Sequence, residues 1–198
     1  MAKEQPSSST GPPLAVVGGV GGPVARILEQ RPLITGEDPA DYDCLLARLG
    51  AAVAPEDAIE WLWLKDVVDL AWEVQRWRRL RAALLMTART EAMARVLLPL
   101  MGYEAAGETA WDWARGNTQA ARRAETSLAD HGLGVDAVMA AAFSQCLGDL
   151  ESIERMIAAA ELRRDRILNQ IEKRRQALAW RRREAAVIDI EDEMAPSR

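Results

Sequence analysis

Histidine, phenylalanine and tyrosine are almost missing from this chain: its 198 residues include one His, one Phe and two Tyr. With His131 as the only histidine, the Glu-x-x-His pairs by which ferritin-like bundles hold two metals cannot form. No Cys-x-x-Cys or His-x-x-x-His spacing offers a zinc site, so no metal or cofactor is expected. Cysteine is scarce as well. Cys44 and Cys146 both fall in apolar helical patterns, where buried thiols in a reducing compartment are expected rather than a disulfide framework. β-branched residues never alternate in a bounded run, so no sheet is expected. The uncharged stretch 12–25 is short and rich in Gly and Pro, and cannot span a bilayer as a helix. Lys3 and Glu4 precede a Ser/Pro/Gly stretch instead of an apolar block, so no signal peptide is expected and a cytoplasmic location is.

Ala, Leu, Glu and Arg are abundant, and their side chains lose little rotamer freedom in a helix. The formal net charge is -5, which argues against a generally basic surface. The charge is laid out in blocks. Between Arg163 and Arg183 nine Arg or Lys stand against Asp165 and Glu172, and Glu184, Asp189, Glu191, Asp192 and Glu193 then reverse the sign. Such a layout is either a solvated helix or a binding surface.

Along the chain, residues 1–32 have the composition of a flexible N-terminal arm, too poor in apolar surface to offset the entropy of ordering. Gly18-Gly19-Val20-Gly21-Gly22 is not a phosphate loop, because no Gly-Lys-Ser/Thr follows it. Asp38-Pro39 caps and opens a first helix that should stop around Gly50–Pro55. A long helix is expected from Glu56 to Leu98, ending at Pro99. Its seam of Trp63, Val67, Leu70, Val74 and Trp77 has the three-to-four spacing of a face buried against another helix. Two short helices are expected at about 109–115 and 117–129, and an alanine-rich one at 135–146. After Gly148, Asp149 should cap the last long helix, whose seam begins Leu150, Ile153, Ile157. The helical domain is placed at 33–188 and an acidic tail at 189–198. The two seams are expected to face each other in an all-α fold, a long antiparallel hairpin braced by shorter helices.

Two stretches, 33–84 and 161–194, resemble an uncharacterised helical family of rhizobia and related alphaproteobacteria. The resemblance rests on the Gly36-Glu37-Asp38-Pro39 entry, the run Asp66-Val67-Val68-Asp69-Leu70-Ala71-Trp72-Glu73 and the arginine-rich exit helix. It implies the same architecture and a bacterial, cytoplasmic protein. It carries over no site residues.

Three groups of residues bear on function. Asp66, Asp69 and Glu73 share a face of the long helix, as metal ligands would, but their expected role is a salt-bridged or solvated stripe. Trp61 and Trp72 lie about 160° and 180° from Trp63 around that helix. Either the first helix or the alanine-rich helix covers them, or they face a partner. Arg76, Arg79, Arg174, Arg175, Arg181, Arg182 and Arg183, with Trp180, are the candidate contacts for nucleic acid or for a partner. Clustered guanidinium groups neutralise phosphates and an indole stacks on a base. No catalytic residue emerges, so a non-enzymatic helical interaction or assembly protein is expected, with a protein partner or self-association. The alternative is a nucleic-acid-binding accessory protein using the arginine-rich helix ends.

Overall fold

The computed structural model describes residues 23–194, with side chains over 24–185. Its elements are α1 (Pro23–Leu28), α2 (Pro39–Val53), α3 (Ala58–Met101), α4 (Tyr103–Ala114), α5 (Thr118–Ala129), α6 (Val135–Gln145) and α7 (Leu147–Met194). The fold is all-α, and α3 and α7 are its long helices. They run antiparallel: going from Glu56, just before α3, to Glu60 in its first turn, the partners on α7 move back from Arg182 to Arg175. Two compact units divide the chain, unit 1 from Met1–Trp72 with Ala160–Arg198 and unit 2 from Glu73–Ala159. Both long helices supply a segment to each.

In unit 1, α2 starts where Asp38 Oδ1 accepts from Ala40 N at 2.8 Å, with Pro39 at the first helical position. It ends at Ala54, held in the left-handed region with φ 47°. Tyr42 and Leu46 of α2 pack against Trp61, Leu64, Val68 and Trp72 of α3, with Leu28 of α1 closing the cluster. The first helix therefore covers Trp61 and Trp72. On the other seam Val67, Leu70 and Val74 are buried, but Trp63 and Trp77 are only half-buried, so the larger indole burial belongs to Trp61 and Trp72.

The core of unit 2 is built largely from alanine: Ala88 and Ala92 of α3, Ala106 and Ala110 of α4, Ala124 of α5 and Ala142 of α6. Small side chains let these four helices approach closely, and Met93, Leu97, Leu128 and Val138 fill the space left between them. Leu150 of α7 lies in this same cluster with Ala88 and Ala92. The early seam of α7 thus meets a later stretch of α3 than 63–77. Periodicity fixes which face a helix buries and leaves the axial register to the connecting helices.

Several boundaries also move. Residues 1–22 of the expected arm lie outside the described residues, whereas Pro23–Leu28 is helical and Leu28 is buried. Pro99 lies within α3 near its end, where losing one N–H disrupts only the last turn. The break falls instead at Gly102, whose φ of 81° costs glycine nothing. Gly107 and Gly148 sit inside helices, as a single glycine costs only about 1 kcal/mol there. Cys146 is buried as expected, but Cys44 is exposed, on the outer face of α2. Helix α7 continues to Met194, through most of the expected acidic tail, and 195–198 lie outside the described residues.

Candidate interaction surfaces

The eight candidate contacts are divided between the two units. Arg76 and Arg79 belong to unit 2 and the other six to unit 1. Arg76 is half-buried and Arg79 exposed, and both interact with other groups in the chain.

Arg174 and Arg175 hold the turn between α2 and α3. Asp57 caps α3, its Oδ1 accepting from Ile59 N at 2.9 Å and Glu60 N at 3.0 Å, while its Oδ2 takes Arg174 Nη2 at 2.5 Å. Glu60 is 1% exposed, and its carboxylate accepts from Arg175 Nη2 at 2.7 Å and from Glu56 N at 3.0 Å. The same Arg175 nitrogen donates to the carbonyls of Val53 at 2.8 Å and Ala54 at 3.1 Å, two groups that the end of α2 leaves without helical donors. Arg174 and Arg175 are therefore committed to closing the α2–α3 corner. The hydrogen bond from Arg175, aided by Glu56 N, holds Glu60 below the usual carboxylate range against the opposing effect of burial. Arg174 does the same for Asp57.

Farther along α7, Arg182 is 3.9 Å from Glu56 with both side chains mostly exposed, a weak surface pair. Arg181 and Arg183 are exposed, and Trp180 is 70% exposed. All four side chains of this stretch are turned to solvent.

The acidic stripe has a structural use. Asp69 receives hydrogen bonds from Lys65 Nζ, 2.6 Å away, and from the Tyr42 hydroxyl, and Lys65 also lies 5.4 Å from the Tyr42 ring centroid. Burial first, then the bond to Asp69, pushes the Tyr42 phenol well above its ordinary range. Trp72 Nε1 donates to Glu37 Oε2 at 2.9 Å, and its ring meets Tyr42 edge-on at 5.5 Å. Asp66, though exposed, is raised by partial desolvation beside α7 and by Asp69, with Lys65 and Arg163 opposing. Among the described residues no group of three or more His, Cys, Asp or Glu is arranged to hold a metal ion. Among them, too, no helix is long and apolar enough to cross a membrane.

Unit 2 carries two surfaces that the sequence did not announce. On α4, Tyr103 is 83% exposed and Trp111 57%, two helical turns apart. Arg115 lies 4.8 Å from the Trp111 ring. Exposed Leu98 lines a groove of about 450 Å³ with Ala94, Tyr103 and Gly107. The i, i+4, i+8 spacing of Tyr103, Gly107 and Trp111 could have revealed this face, had α4 been expected to start at Tyr103. Trp113, by contrast, packs on the core, with Arg89 4.9 Å from its ring. The second surface is an apolar groove of about 640 Å³ bordered by α3, α6 and α7.

Comparison of the chain with protein-family models, with curated proteins and with solved structures gives no match.

Proposed function

We propose that the chain is a non-enzymatic, cytoplasmic helical protein that works by binding a protein partner, and that the outer face of α4 is the contact. The observation that carries this reading is the joint exposure of Tyr103 and Trp111 beside Leu98. Trp and Tyr dominate the energetics of protein interfaces because they bring large apolar area at low entropic cost. Glu91, Arg95, Glu104 and Arg115 around them supply the polar rim that such contacts use. The polar clusters of unit 1 support the same reading, since each is spent on holding helices together.

With the full chain as bait, the partner captured by wild type should be lost when Tyr103 and Trp111 are both replaced by Ala. Each anchor should contribute more than about 1 kcal/mol of binding, while helical circular dichroism stays unchanged. A partner that binds the double variant as tightly would remove α4 from the interface.

A second reading has its own observation: Trp180 stands exposed beside Arg181 and Arg183 in the C-terminal third of α7. An indole and two guanidinium groups suit a single nucleic-acid strand. If this stretch contacts phosphates, binding of a fluorescent single strand should weaken with salt, and Arg181→Gln with Arg183→Gln should flatten the log–log slope by about 1.4. Arg175→Gln should leave that slope alone, because Arg175 is committed to Glu60. No binding at low salt would leave the protein-partner reading by itself.

A further inference from the structure

We propose that the groove bordered by α3, α6 and α7 in unit 2 is where a second copy of this chain docks. The inference rests on the reading of the protein as an interaction module, but it uses a different face. Leu85 and the buried Leu150 form the floor of the groove. Phe143 and Leu147 line it and are 51% and 43% exposed. Folding the single chain leaves both of these large apolar side chains half in water.

Two features select a second copy as the occupant. The face carries both the projecting groups and the hollow that can receive them. A two-fold contact requires this, because a residue that enters a site on the other copy must have its own site entered in return. The Phe143 ring of each copy enters the groove of the other, over Leu85 and Leu150. The charges at the groove are the second feature. Arg81 and Arg155 stand with Glu151 and Glu154, two of each sign, and Arg81 already pairs with Glu154 across the groove. A rim with equal charges can match itself under a two-fold rotation, each cation meeting an anion. A strongly basic or acidic partner would find like charge on half of the rim, and like-charge juxtaposition disfavours binding.

The test is sedimentation equilibrium of the full chain across a wide concentration range, for wild type, Phe143→Glu, Leu147→Gln and Trp111→Ala. Wild type should show a reversible monomer–dimer equilibrium. Phe143→Glu and Leu147→Gln, both at exposed positions, should keep the helical circular dichroism signal. Each should raise the dimer dissociation constant at least about tenfold, as expected for a lost interface anchor. Trp111→Ala should sediment like wild type, so failure of the α4 reading and failure of this one are told apart. A wild-type chain that stays monomeric throughout would overturn the proposal. So would Phe143→Glu and Leu147→Gln variants that dimerise as well as wild type. A monomer whose groove binds an amphipathic helical peptide or a small apolar dye would overturn it too, by naming another occupant.

Discussion

Trp72→Ala should lower the free energy of unfolding by roughly 3–5 kcal/mol, the range for truncating a large buried aromatic residue. Trp180→Ala should change it by less than about 0.5 kcal/mol, as for an exposed site away from any packing. Trp72 fills the space between α2 and α3, meets Tyr42 edge-on and donates its indole N–H to Glu37. Truncation would leave a cavity, strip Tyr42 of its ring contact and cost Glu37 a donor. Trp77→Ala should fall between the two, because Trp77 is half-buried. Urea unfolding followed by circular dichroism measures this as a shift in midpoint at constant slope. Equal small effects at Trp72 and Trp77 would mean that the packing of α2 on α3 contributes little.

The contrast between these tryptophans shows what the sequence could and could not carry. Helical character, the Asp38-Pro39 start and the pairing of two long antiparallel helices were legible, because each follows from local preference or from a repeating face. The assignment of Trp61 and Trp72 was open, because helical phase puts them opposite Trp63 without saying which helix covers that side. Arg174 and Arg175 looked like phosphate contacts for a related reason. Their charge is visible in the sequence, but Asp57 and Glu60 lie more than a hundred residues away. Only the antiparallel register brings these acids to the arginines. The exposed face of α4 was hidden by the boundary of that helix, since expecting a helix from Thr109 separates Tyr103 from Trp111. Within the basic helix, Trp180 and Arg181–Arg183 keep their solvent exposure, a little over one turn beyond the arginines of the α2–α3 corner.

Arg175→Met should cost roughly 3 kcal/mol, the low end of the range for breaking a buried ion pair because the Arg175 side chain is itself partly open to water. The variant strands the Glu60 carboxylate in a site that is 1% exposed and leaves the Val53 and Ala54 carbonyls without the guanidinium. Converting both partners, Glu60→Met with Arg175→Met, should recover much of the loss, since an apolar pair of similar volume often replaces a buried ion pair at little cost. The pH dependence follows from the direction of the Glu60 shift. Arg175 and the Glu56 N–H lower its pKa in the folded state, so the unfolded chain binds the proton more readily. The stabilisation is complete above the ordinary glutamate pKa of about 4.3 and is lost as pH falls through the lower, folded value. Asp57, lowered by Arg174, adds to this in the same direction. Asp66, raised by partial desolvation and by Asp69, opposes it, because its folded form takes up a proton first as the pH falls. In Arg175→Met the main cause lowering Glu60 is gone while burial remains, so its pKa shifts upward. Wild type should therefore lose stability on acidification from about pH 5 to 3 more steeply than Arg175→Met, and the two unfolding midpoints should converge. Parallel pH profiles for the two proteins would show that Glu60 and Arg175 are not coupled in solution.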